Sequence, residues 1–121
     1  MSYSPVIITN STSFPIVGGK VEYMSAFCSS DKFTIAAGPS AYWKASSRGV
    51  CLLTKIKATV QTELGSTEVE YKSKGTAHSH FAIIQKTDPS TGKSTFQIYA
   101  LNDGMADSVP ADYVEPTTVQ K

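Results

Sequence analysis

His78 and His80 are the only histidines of this 121-residue chain, and two positions apart on one strand they would point to the same side. Such a pair can hold a metal, and Cys28 with Cys51 would complete a tetrahedral zinc set if the fold brought all four together. No spacing rule supports that. Zinc-binding cysteines usually come in close pairs such as Cys-x-x-Cys, absent here, so the histidines read as polar strand residues and neither metal nor other cofactor is expected. Cys51 with a histidine base is the one conceivable nucleophile, but Val50, Leu52 and Leu53 give it an apolar setting that raises a thiol pKa and favours an inert thiol. The chain has no G-x-S-x-G, no glycine-rich phosphate loop and no acidic pair spaced for acid–base work, so an enzyme is not expected.

The stretch from Tyr42 to Gly49 is the most suggestive for binding. It places the only Trp (Trp43), a Tyr (Tyr42), Lys44 and the only Arg (Arg48) within seven residues. Aromatic faces stack on sugar C–H faces or insert into interfaces, and a guanidinium grips carboxylate or phosphate in two places. Strand alternation groups Trp43 with Ala41 and Ala45, a face that reads as inward, leaving Tyr42 and Lys44 outward and Arg48 in a loop. Polar loop residues Asn10, Asp31, Asn102 and Asp103 could hold sugar hydroxyls or calcium. Asn102-Asp103-Gly104 lacks the alternating acids and closing Glu of a calcium loop and reads as a turn.

The elements that must position these residues are strands. From Thr54 onward Ile56, Ala58 and Val60 alternate with Lys55, Lys57, Thr59 and Gln61, the period of two of a sheet with one buried face. The preceding Val50-Cys51-Leu52-Leu53 is apolar on both faces and is expected to continue the strand under a second layer or in a subunit contact. Glu68, Val69, Glu70, Tyr71 and Lys72 alternate in turn, with Lys55 and Lys57 expected to face Glu68 and Glu70 across a hairpin. Further strands are read at 6–9, 20–27 with Val21, Tyr23 and Phe27 on one face, 32–36 with Phe33 and Ile35 inward, 41–45, 77–84 and 94–101. Asp88-Pro89-Ser90-Thr91-Gly92 forms the turn between the last two. Eight short strands with regular breakers and no helical periodicity indicate an all-β fold, an antiparallel sandwich or, as the alternative, a small barrel.

Composition bounds the rest. The length suits one domain, with 40% hydrophobic and 17% charged residues, and no apolar run approaches the ~20 residues of a membrane helix. A net charge of +1 argues against a dedicated nucleic-acid binder. Residues 1–101 carry ten basic against six acidic side chains, and 102–121 carry Lys121 against Asp103, Asp107, Asp112 and Glu115, so a +4 body precedes a −3 tail. The domain is therefore read as 1–101, with 102–121 an irregular acidic tail that could lie on the basic body. The opening residues have neither the basic region nor the apolar stretch of a secretory signal, so the expected compartment is the cytosol, where Cys28 and Cys51 would be free and buried; the alternative is a secreted mature form whose signal has been removed, in which the two would form a disulfide. Asn10-Ser11-Thr12 fits a glycosylation acceptor, which matters only for a secreted chain.

No family motif is present. The general cast is that of compact β proteins, lectins and membrane-seeking cytolysins among them, an analogy at fold level only. The first functional expectation is a non-enzymatic carbohydrate-binding module acting as a homo-oligomer, with Tyr42, Trp43, Lys44, Arg48, Asn10 and Asp31 as ligand contacts. The second is a binder of lipid or membrane surfaces through the same stretch. The third is a structural or protein-interaction domain.

Overall fold

A computed structural model describes residues 3–25, 27–38 and 41–101. Eight strands account for most of them: β1 (Ile7–Ser11), β2 (Ile16–Tyr23), β3 (Asp31–Ile35), β4 (Ala41–Lys44), β5 (Leu53–Thr62), β6 (Gly65–Thr76), β7 (His80–Thr87) and β8 (Ser94–Leu101). They form two four-stranded sheets, ordered β4-β1-β7-β8 and β3-β2-β5-β6, packed as a sandwich. β6 lies beside β8 and β3 beside β4, so both long sides of the sandwich are drawn together.

Alternation decides which side of each strand enters the core. Ile56, Ala58 and Val60 of β5 are buried with Val21 of β2, Phe33 and Ile35 of β3 and Val69 of β6. Facing them are Ile8, Phe81, Ile83 and Ile98 of the other sheet, in one continuous cluster. Tyr71 and Phe81 meet edge-on across the interior, ring centroids 5.1 Å apart. Trp43 turns inward, as its neighbours Ala41 and Ala45 required, and stacks on Phe33 at 5.1 Å. A Cβ at position 19 would clash with the Phe33 ring, so Gly19 leaves the room that Phe33 fills between β2 and Trp43.

The β5–β6 hairpin sets Lys57 opposite Glu70 and Thr59 opposite Glu68. Lys55 faces Lys72 in register and reaches diagonally to Glu70 at 3.6 Å. The 88–92 turn closes the β7–β8 hairpin as expected, with Gly92 at φ 73°, a conformation glycine adopts without strain.

Three local readings are corrected. β5 begins at Leu53 rather than Val50, because Cys51 N–H turns back to the Arg48 carbonyl (3.1 Å), and Val50 stands exposed. β2 ends at Tyr23, so Phe27 leaves the face shared by Val21 and Tyr23 and is 98% exposed. His78 precedes β7, so it does not share a strand face with His80. One pairing departs from the antiparallel pattern: β1 runs parallel to β7, Ile8 beside Phe81 and Asn10 beside Ile83. The acidic tail and the Asn102-Asp103-Gly104 turn lie outside the described residues.

Candidate functional site

Cys28 and Cys51 form a disulfide. They are not free thiols, and neither can serve as nucleophile or thiolate ligand while bonded. Cys28 follows β2 and Cys51 precedes β5, two strands already paired, so the bridge fastens two loops at one end of one sheet. Among the described residues no group of three or more His, Cys, Asp and Glu side chains is placed to hold a metal.

Arg48 lies at the same end and is buried at 6% exposure. Its Nε donates to the Ser4 carbonyl (3.0 Å), and one terminal nitrogen donates to the Ala77 (2.8 Å) and His78 (3.0 Å) carbonyls. The guanidinium carbon is 5.4 Å from the centre of the Tyr3 ring. The other terminal nitrogen, Nη1, is buried without a hydrogen-bond partner. Burial lowers the Arg48 pKa, with the Tyr23 and Tyr3 side chains opposing that shift. Arg48 thus clamps the N-terminal segment to the connection between β6 and β7.

A concave site of about 260 Å³ opens beside this clamp, lined by Tyr23, Phe27, Ser29, Asp31, Ser46, Ser47, Arg48 and the two cysteines. The Tyr23 hydroxyl donates to Asp31 Oδ2 at 2.6 Å. Burial first, and then the Asp31 hydrogen bond and charge, hold the Tyr23 phenol well above its ordinary pKa. Phe27 stands on the wall of this site with its ring in solvent. Val50, next to Cys51, is also exposed, as is Met24, whose N–H donates to the Leu52 carbonyl and whose side-chain methyl lies by Gly75.

The residues expected to bind ligand are therefore dispersed. Asp31 and Arg48 line one site, brought together by the Cys28–Cys51 bridge and the β2–β3 pairing. Trp43 is half-buried against Phe33, while Tyr42 and Lys44 lie on the outer side of β4. Asn10 is wholly buried. Its Nδ2 donates to the Phe14 and Ala36 carbonyls and its Oδ1 accepts from Thr12 N–H and Oγ1, so the side chain is consumed in pinning the β1–β2 turn. That also closes the Asn10-Ser11-Thr12 sequence to a glycan. Phe27, Tyr23 and the serine pair Ser46-Ser47 were missed. An aromatic residue one position before a cysteine, at the break between two strands, was the available sign.

A larger groove of about 530 Å³ lies at the opposite end, between the tips of the β5–β6 and β7–β8 hairpins. Phe14 and Phe96 meet edge-on at its wall, 6.0 Å between centroids, and Leu64 is fully exposed there. No family model matches the chain, and no curated protein matches it. A solved structure does: an NMR structure of a protein from Eubacterium rectale, with a TM-score of 0.51 and 16% identity, over 84% of this chain and 90% of that one. The likeness covers the sandwich and shows the fold. No helix among the described residues is long and apolar enough to cross a membrane.

Proposed function

We propose that the chain is a non-enzymatic carbohydrate-binding module that works in an oxidising compartment and receives a saccharide ring at the disulfide end. The observation that carries this reading is the convergence of Tyr23, Asp31, Ser46, Ser47 and Arg48 around one small concave site with the Phe27 ring on its wall. A pyranose has hydroxyls that donate and accept around its rim and C–H faces above and below. Among the described residues, Asp31 Oδ1 is left to accept a sugar hydroxyl while Tyr23 holds Oδ2. Ser46 and Ser47 can both donate and accept, and Phe27 can lie against the C–H face. The volume is just under the about 300 Å³ at which drug-sized ligand sites begin, which suits a single ring. The disulfide supports the oxidising compartment, since such bridges seldom persist in a reducing cytosol.

The test is a glycan array followed by NMR titration of the hits. Phe27→Ala and Asp31→Asn are each expected to weaken binding about tenfold, equivalent to about 1.4 kcal/mol, with Tyr42→Ala leaving it unchanged. A silent array, or binding lost only through Tyr42, would reject the site.

A second reading draws on Phe27 and Val50, exposed next to Cys28 and Cys51 in the chain, with Met24 also exposed, side chains that could enter a lipid surface. Flotation with phosphatidylcholine liposomes separates the two. Protein carried with the vesicles, and lost with Val50→Asp, would replace the saccharide by a membrane.

A further inference from the structure

The outer side of the β4-β1-β7-β8 sheet is not built like a water-facing surface. Cross-strand registers place Lys44, Ile7, His80 and Leu101 in one row, Tyr42, Thr9, Ala82 and Tyr99 in the next, and Ser11, Ile84 and Gln97 in the third. These positions alternate with Ile8, Phe81, Ile83 and Ile98, which fill the interior. Ile7, Ile84, Tyr99 and Leu101 are nevertheless half-buried and Ala82 is 0% exposed, although none of them belongs to the interior cluster. The outward positions of these strands include Lys44 and Lys86 and no carboxylate.

We propose that this face is the docking surface for the chain's own C-terminal segment, residues 102–121. Three observations select that occupant. The segment begins directly after Leu101, the last residue of β8, which is an edge strand of this very sheet. Twenty residues extended reach roughly 65 Å, enough to cross four strands about 4.8 Å apart and return. The segment is also complementary in kind. Met105, Val109, Tyr113, Val114 and Val119 are apolar partners for Ile7, Ala82, Ile84 and Tyr99, and Asp103, Asp107, Asp112 and Glu115 give it a net −3 opposite Lys44 and Lys86. The other sheet's outer face offers lysines without the apolar rows, so charge alone would place the segment there and charge with burial places it here.

Zero-length carbodiimide cross-linking of the full chain, read by peptide mass spectrometry, decides the matter. The sample is an equal mixture of heavy-nitrogen-labelled and unlabelled protein. The expected result is isopeptide links from the acids of 102–121 to Lys44 and Lys86, within single chains, with loss of those links in Ile84→Glu while the circular dichroism melt persists. Links to Lys20, Lys57 or Lys72 instead, or no links from the segment at all, would overturn the proposal. So would links between labelled and unlabelled chains, which would make the occupant a second copy. The wild-type pattern stands as a test even if the variant does not fold.

Discussion

The two outer faces of this sandwich are made of different materials. On the β3-β2-β5-β6 sheet the outward positions hold Lys20, Lys32, Lys55, Lys57, Lys72 and Lys74 with Glu22, Glu68 and Glu70, long charged side chains that stay in water. Its exposed ion pairs are loose, 3.6 to 3.9 Å, and contribute little each. On the β4-β1-β7-β8 sheet the outward rows are built on Ile7, Ala82, Ile84 and Tyr99. The means of restraint differ as well. The disulfide joins loops of the first sheet, whereas Arg48 draws together the segments entering β1 and β7 of the second. One sheet is held at its end and solvated on its back, and the other has apolar side chains on both faces.

The largest effect should come from putting a charge on each back. Ala82→Lys is expected to cost about 3 kcal/mol by burying an ammonium where none fits, while Thr59→Lys, opposite Glu68, stays within about 0.5 kcal/mol. Urea midpoints at unchanged slope would measure both, and equal costs would erase the distinction between the faces. Removing the bridge with Cys28→Ser and Cys51→Ser is expected to cost about 3 kcal/mol from the 23-residue separation it closes. Hydrogen exchange should then rise in β2 and β5 before β1 and β7, and the reverse order would break the assignment of restraints.

A smaller effect concerns pH. Tyr23 has a folded pKa above its unfolded value, so the folded state keeps a proton that the unfolded state releases as pH passes about 10. Stability should be flat through neutral pH and fall above about pH 10, and Tyr23→Phe should flatten that limb. The smallest effect lies in the row Lys32–Lys20–Lys57, three like charges side by side on adjacent strands. Lys20→Thr should stabilise by about 0.2–0.5 kcal/mol at low ionic strength, a gain that disappears in high salt.

Much of the frame was legible because it depends on neighbours in sequence. Ile56, Ala58 and Val60 declared the buried side of β5, Ala41 and Ala45 turned Trp43 inward, and Pro89 with Gly92 marked the last hairpin. What escaped depends on residues far apart. The Cys28–Cys51 bridge joins residues 23 positions apart with no local spacing rule, and an assumed reducing compartment argued against it. Arg48 looked like a surface cation because its three carbonyl partners lie 29 to 44 positions away. Alternation was carried past the end of β2, which misplaced Phe27. The two-faced burial of the second sheet did leave a trace: Val6-Ile7-Ile8 and Phe81-Ala82-Ile83-Ile84 are unbroken apolar runs, the mark of strands covered on both sides. Of the candidate site, Asp31 and Arg48 were named as ligand contacts and Ser46 and Ser47 lay inside the 42–49 stretch, whereas Tyr23 was read as core and Phe27 was placed on a strand that ends before it.

The parallel pairing of β1 with β7 has a consequence in time. Ile7 meets His80, a separation of 80 − 7 = 73 positions, so the inner strand pair of that sheet cannot close until two-thirds of the chain is available. Until then an apolar strand waits with an open edge, a template for wrong partners. Arg48 joins Ser4 to Ala77 and His78, the segments that lead into those same two strands, so its hydrogen bonds depend on the same long-range closure.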